Sequence, residues 1–243
     1  MLVSERTRCR WLRVLSFISA LLALSAAGTA QTVRPLIVEY QGAARGHVDY
    51  VNDSFQPMTV VLEAKGFKVS ETGEITYFPL PGSIHLKLST MSFRIAPKQT
   101  YSVYYDAKAD VVPAWFVLYA DFGPTPERQR TGMSVHVELP HAVYVLPTRG
   151  ELKKSDVTVE VAEFRSKDKK VVVQVANSGP NFGRVLAVDA IGRHDKADLN
   201  GFPLFPNSKR RVELDWKADG SPERLVLQLN KFTLQERITV VDR

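Results

Sequence analysis

A long alternating stretch near the middle of the chain, residues 132–147, constrains the fold more than any other feature. Apolar residues on one face of an extended strand alternate there with polar ones on the other. The apolar face carries Met133, Val135, Val137 and Leu139. The stretch exceeds the usual strand length of ~5–6 residues. Because proline cannot donate to a ladder, Pro140 predicts an edge strand or a bulge. A long apolar edge recruits other chains, so this strand predicts either an aggregation hazard or a binding element.

The chain begins with a targeting pattern. Four arginines precede an apolar run from Val14 to Leu24, and small residues before Gln31 offer a cleavage site. The run is shorter than the ~17–25 residues that a membrane-spanning helix needs. We therefore predict a signal peptide at residues 1–30, with an uncleaved anchor as the alternative. After cleavage the product is expected to be exported and to have no integral membrane segment.

Removal of residues 1–30 changes the charge and the cysteine content. The whole chain has 32 Lys and Arg against 26 Asp and Glu, and the segment holds four Arg and one Glu, so 28 and 25 remain. No run of basic residues interleaved with aromatics remains, which argues against a nucleic-acid partner. Cys9, the only cysteine, lies in the removed segment. The mature chain is therefore expected to have no disulfide, and burial alone must stabilise it.

Short β segments separated by Pro, Gly, Asn and Asp follow from Val33 onward, with hardly any helical period. About seven are predicted in the first half, the number of an immunoglobulin-like sandwich: 36–40, 46–51, 58–64, 86–95, 100–106, 113–122 and the 132–147 stretch. The residues 147–150 are typical of a linker, and the alternation restarts at Val157. We predict an all-β chain with two tandem immunoglobulin-like β-sandwich domains, residues 31–147 and 148–243.

The two halves share a weak repeated pattern. In each half a strand ends in Asn before a turn that contains Ser, at Asn52 and at Asn177. A later turn in each half contains a proline with a basic residue after it, Lys98 after Pro97 and Lys209 after Pro206. The pattern is too degenerate to prove duplication, but it agrees with two tandem sandwiches.

No constellation of catalytic or metal-binding residues is visible. The five histidines lack the spacing of metal ligands, and the mature chain has no cysteine to serve as ligand or nucleophile. His136 and His141 are the only close pair, and an extended strand places them on opposite faces unless Pro140 introduces a bulge. Neither a phosphate-binding loop nor a nucleophile elbow is present. The sequence predicts a protein that is not an enzyme and has no cofactor or metal.

Four segments, taken in order, resemble the periplasmic chaperones of the chaperone/usher pathway, which assemble pili. Residues 92–103, Ser-Phe-Arg-Ile-Ala-Pro-Lys-Gln-Thr-Tyr-Ser-Val, resemble the family's apolar-Arg-apolar-x-Pro turn and the strand after it. Residues 112–119 resemble the aromatic strand F1, and the 132–147 stretch resembles strand G1. Residues 201–210 are similar to the proline-containing turn of the second domain. The resemblance implies a periplasmic location.

The resemblance also implies a function for the 132–147 stretch. In that family, strand G1 completes the fold of a pilus or fimbrial subunit by β-augmentation, before delivery to an outer-membrane usher. The donor residues carried over by position are Met133, Val135, Val137 and Leu139. An alternative from the residues themselves is that these side chains face their own domain's core, as alternate residues of any sandwich strand do.

One departure from the family concerns the cations that anchor the subunit's terminal carboxylate. The family uses an Arg in the first strand and a Lys in G1, and these positions correspond to Ile37 and Ala142, neither of which is a cation. Arg34, Arg45 and His141 are the candidate substitutes if the register shifts, and each has the alternative of an ordinary surface residue. Two competing functions also remain: an exported structural or adhesive protein without a pilin client, and an enzyme or metal protein.

Overall fold

The computed structural model describes residues 31–125 and 135–242, which form β-strands, connecting turns and one 3₁₀ turn at Lys154–Asp156. The all-β prediction is confirmed. Within these ranges, no helix has the length and apolar character needed to cross a membrane. Residues 1–30 and Met133 lie outside the described residues, so the signal peptide and the first donor residue stay predictions.

The first half forms a sandwich of two sheets. Its strands are β1 (Gln31–Arg34), β2 (Ile37–Gln41), β3 (Ala44–Asn52), β4 (Met58–Val69), β5 (Ile75–Pro79), β6 (Ile84–Leu88), β7 (Ser92–Ile95), β8 (Gln99–Ala109), β9 (Ala114–Pro124) and β10 (Val137–Leu146). One sheet has the order β1-β3-β8-β6. The other has the order β2-β10-β9-β4-β5, and β7 also pairs with β4. Alternate residues from both sheets, such as Val48, Phe116 and Val143, meet in one core and are fully buried.

The second half repeats this design. Its strands are β11 (Val157–Arg165), β12 (Lys170–Asn177), β13 (Gly183–Ile191), β14 (Lys196–Leu204), β15 (Ser208–Asp215), β16 (Arg224–Leu229), β17 (Thr233–Arg237) and β18 (Thr239–Val241). The sheets have the orders β15-β12-β11-β18 and β14-β13-β16-β17. A second core, which includes Val173, Leu204 and Leu227, lies between them. The predicted fold class, two tandem sandwiches, is confirmed, whereas the domain boundaries at residues 147 and 148 stay predictions.

Several predicted strand bounds were wrong. The segment 86–95 is not one strand, because the chain leaves one sheet after β6 and joins the other at β7. The chain makes a similar switch between β17 and β18, which belong to different sheets. Strand β14 gives little strand signal in the sequence because it is polar and contains Gly201 and Pro203. It lies at the edge of its sheet, where such residues are tolerated.

The repeated Asn pattern has one structural explanation in both halves. Asn52 donates from Nδ2 to the carbonyls of Gln56, Ile95 and Ala96, and Asn177 donates to those of Asn181, Leu204 and Phe205. Both side chains are buried. In each half the residue after the turn proline has a positive φ, 58° at Lys98 and 50° at Asn207. Each amide therefore ties its strand end to the proline turn of the same half.

The turn at residues 71–74 closes the hairpin of β4 and β5, with Gly73 at a φ of 97°. The tip of this hairpin contacts the second half. The amide of Arg211 donates to the carbonyl oxygen of Glu71 over 2.8 Å, and Nη1 of Arg210 donates to that of Ser70 over 3.3 Å. The hairpin therefore packs against strand β15.

Candidate functional site at an open strand edge

Strand β10 is paired on both sides for only part of its length. Residues 142–145 lie between β9 and β2, whereas residues 137–141 pair only with β9 among the described residues. Strand β2 begins at Ile37 because the residues before it belong to β1, in the opposite sheet. The last bond on this side runs from the amide of Ala142 to the carbonyl oxygen of Leu36 over 2.8 Å. Residues 137–141 therefore form an open edge beside the start of β2.

Pro140 lies within this open edge, opposite Tyr119. The register with β9 is continuous from Val137 to Val145, so the edge contains no bulge. Of the two alternatives that Pro140 predicted, an edge or a bulge, the structure shows the edge. Among the described residues, no strand pairs with the side of Pro140 that lacks the amide.

The predicted donor residues have different surroundings. Val135 precedes β10 and is 63% exposed. Val137 and Leu139 are partly buried and pack against the core of the first sandwich, on the same face as the buried Val143. This packing agrees with the alternative that these side chains serve their own domain. Their role as donors stays a prediction, and Met133 lies outside the described residues.

Ile37 and Ala142, the two positions aligned with the family's cations, are direct partners in the parallel pairing of β2 with β10. The two positions that the resemblance identifies in the sequence are therefore neighbours on adjacent strands. The same row continues through Val117 of β9 to Lys65 of β4. The ammonium of Lys65 lies 2.8 Å from a carboxylate oxygen of Glu63, and this hydrogen bond raises the pKa of Lys65. The cation of this row is thus already paired.

Among the described residues, no hydrogen bond or ion pair joins the three candidate substitute anchors to one another. Arg34 is exposed at the end of β1, and Arg45 pairs with Asp106 over 2.9 Å within the same sheet. His141 is fully buried at the end of the open edge. The structure does not bring these three side chains together, and their role as anchors stays a prediction.

His141 is held by a chain of hydrogen bonds. Its Nδ1 lies 2.6 Å from the carbonyl oxygen of Pro35, which only accepts, so Nδ1 donates. Nε2 of the neutral ring then accepts from the hydroxyl of Tyr105 at 3.1 Å, and that oxygen accepts from Tyr40 at 2.9 Å. Gly46 leaves room for the Tyr40 hydroxyl, since a Cβ there would lie 2.0 Å from it. The network fixes the residues before β2 to both sheets.

The surroundings of His141 set its protonation. Burial lowers the pKa of His141, and the bond to the Pro35 carbonyl offsets part of this effect. Burial also raises the pKa of Tyr105, as does its hydrogen bond to Tyr40. The network is therefore neutral, and it positions backbone rather than presenting a charge.

The other face of β10 meets the second half through an aromatic cluster. Phe205 packs against Trp115 with ring centroids 4.5 Å apart, and Phe182 packs against Tyr144 at 5.0 Å. Arg184 donates two hydrogen bonds to one carboxylate oxygen of Glu39, over 2.9 and 2.7 Å. Sequence reasoning missed this contact between the halves. The sequence feature that could have indicated it is the presence of Phe182 and Phe205 in or beside turns of the second half.

The remaining histidine of the close pair lies on the surface. His136 places Nδ1 2.9 Å from a carboxylate oxygen of Asp121, on the opposite face from His141. Among residues 31–125 and 135–242, no group of three or more His, Cys, Asp or Glu side chains is arranged to hold a metal ion. The expectation that the protein has no metal and is not an enzyme stays a prediction.

Comparisons with known proteins give matches among solved structures. A class 5 fimbriae chaperone, CfaA, superposes with a TM-score of 0.53 at 13% identity, over 87% of this chain and 100% of that one. The chaperone SafB in its complex with the Salmonella enterica pilin SafA gives 0.53 at 12%, over 88% and 98%. The E. coli chaperone DraB gives 0.51 at 15%, over 86% and 97%. This chain has the fimbrial chaperone fold.

The fold match spans both sandwiches, because nearly the whole length of each neighbour is covered. No family model matches the sequence, and no curated protein matches it either. Identities of 12–15% carry the chaperone fold to this chain and leave its clients open. The resemblance drawn from the sequence motifs is confirmed at the level of fold.

Proposed function

We propose that this protein is a periplasmic chaperone that binds pilus or fimbrial subunits along the open edge of β10 and passes them to an outer-membrane usher. The observation that supports this most is the pairing of β10, which leaves residues 137–141 open on one side. An incoming strand satisfies the backbone groups of this edge, and its subunit gains the apolar side chains at the end of the stretch.

The fold comparison supports the chaperone role. One neighbour is a chaperone in complex with a pilin, and another is a chaperone in complex with a tip adhesin at a TM-score of 0.51. The usher and the periplasmic location rest on the family resemblance and on the predicted signal peptide. The open edge at residues 137–141 is the feature of this chain that strand donation requires.

Co-purification from the periplasm tests the proposal. We expect the tagged protein to recover a fimbrial subunit, and Val135→Glu to abolish that recovery, because a carboxylate placed in a subunit core is strongly unfavourable. Val135 is 63% exposed, so the variant is expected to fold normally. Val111→Glu is the matched control, since Val111 is 75% exposed in the loop before β9.

Equal recovery of the subunit with Val135→Glu and with Val111→Glu would refute strand donation. Val137→Glu is a second variant, to be compared by circular dichroism first because Val137 packs against its own core. An exported structural or adhesive protein predicts a different result: no subunit is recovered, and the purified protein self-associates in size-exclusion chromatography.

A further inference from the structure

The open edge ends against two large aliphatic side chains. Leu36 is 58% exposed and Ile37 is 51% exposed, although both lie next to the paired part of β10. A strand from another protein that pairs with residues 137–141 would lie in line with β2, and its end would contact Leu36 and Ile37. Because side chains alternate along a strand, the residue beside Pro140 shares a face with Ile37 and lies two positions from it. An apolar side chain at that position removes Ile37 from water.

The same face of the edge is negatively charged. Glu138 lies directly opposite Asp121 in the pairing of β10 with β9, and like charges placed opposite each other are destabilising. Asp121 is held by His136, and Lys65 nearby is held by Glu63. The field of Lys65 reaches Glu138, but its ammonium contacts the other carboxylate. A basic side chain beside Glu138 would therefore supply the direct ion pair that this carboxylate lacks among the described residues.

We propose that the strand bound at residues 137–141 is selected by an aliphatic residue that packs on Ile37 and, two positions away on the same face, a Lys or Arg that pairs with Glu138. The inference rests on the proposed function and names the chemistry of its client. The residues of the row at Ile37 and Ala142 are apolar, and Lys65 is paired, so a terminal carboxylate adds nothing to this recognition.

Selection from a phage-displayed library of random 12-residue peptides tests the inference on the purified full-length protein. The displayed peptides are fused at their carboxyl ends, so no terminal carboxylate is offered. We expect enrichment of peptides that pair an aliphatic residue with Lys or Arg two positions away. Synthetic peptides from the selection are expected to bind equally as free acids and as amides.

Two variants make the test specific. Glu138→Lys is expected to reverse the preference from Lys or Arg to Asp or Glu, with about a fivefold change in affinity for the original peptides, as for one exposed ion pair. Ile37→Asp is expected to weaken binding about tenfold through lost apolar contact. Leu186→Asp is the matched control, because Leu186 is 50% exposed on β13 of the second half.

The outcomes separate this inference from the proposed function. Failure to enrich any peptide, enrichment without the paired pattern, or an unchanged preference in Glu138→Lys would overturn the inference. Weaker binding of the amides would overturn it as well, in favour of recognition of a carboxylate. If a fimbrial subunit is still recovered from the periplasm in any of these cases, the chaperone function stands. If the library yields the aliphatic and basic pair but no subunit is recovered from the periplasm, the proposed peptide preference of the edge is supported and the pilin client is not.

Discussion

Both ring nitrogens of His141 are engaged in the folded protein, with the Pro35 carbonyl and with the Tyr105 hydroxyl. A buried imidazole of this kind is stable when it is neutral. The residue stands at the point where β10 changes from an open edge to a paired strand. Its role is to fix the backbone that ends the edge, because Pro35 immediately precedes the two exposed aliphatic residues.

Stability is therefore expected to depend on pH through His141. Burial lowers its pKa in the folded state, whereas in the unfolded chain a histidine has a pKa of about 6.5. The unfolded state binds the proton more readily, so the free energy of unfolding is full above about pH 6.5 and falls as the pH drops below that value. Urea denaturation at pH 7.5 and pH 5 measures this loss.

The variant His141→Gln, which cannot titrate, is expected to lose less stability between these two pH values than the unmodified protein. His85→Gln is the control, since His85 is an exposed histidine on β6. If His141→Gln retains the full pH dependence, another group is responsible for it.

At the scale of strands and turns, the buried asparagines are the clearest shared device. Each one donates to three carbonyl oxygens, at a strand end and at a proline turn. The repeated pattern at Asn52 and Asn177 was visible in the sequence. In the structure, Nδ2 of each asparagine donates to backbone carbonyl oxygens at equivalent places in the two halves.

Replacement of either asparagine by alanine is expected to lower the free energy of unfolding by about 2–4 kcal/mol, because several hydrogen bonds of a buried amide are lost together. Asn200→Ala is the control and is expected to change stability by less than about 0.5 kcal/mol, since Asn200 is exposed on β14. Chemical denaturation measures all three variants. Losses at Asn52 and Asn177 no larger than that of the control would contradict the proposed clamp.

Sequence patterns predicted strands well where one face is buried and the other is solvated, as in β8. They failed where tertiary context decides the outcome. The switch of the chain between sheets after Leu88 leaves no mark on the alternation, and β14 is polar because it is an edge. The family resemblance located the Ile37 and Ala142 row from the sequence, whereas the ring contacts of Phe205 depend on how the two halves meet.

At the scale of the whole molecule, the two sandwiches share one buried aromatic cluster. Phe205 stands at its centre and contacts four rings, those of Phe67, Trp115, Tyr144 and Phe182. The Arg184–Glu39 pair and the tip of the β4–β5 hairpin add polar contacts around it. The cluster lies on the reverse face of β10 from the core that Val143 fills.

Phe205→Ala is expected to loosen the contact between the halves while each sandwich keeps its fold, at a cost of about 3 kcal/mol for the lost aromatic packing. Small-angle X-ray scattering is expected to show a larger radius of gyration, and calorimetry to separate the unfolding of the two halves. Leu186→Ala is the control. An unchanged scattering profile and a single unchanged transition would show that the cluster does not set the arrangement.

The chain crosses from one sheet to the other between Arg34 and Ile37, and the position of this crossing sets the length of the open edge of β10. It fixes how many residues of β10 stay free, since every residue that β2 gains at its start covers one more of them. A shift of the crossing by two residues would close or open one repeat of the ladder without any change in β10 itself. Insertions or deletions ahead of residue 37 are therefore a route by which such a protein changes the length of strand that it accepts.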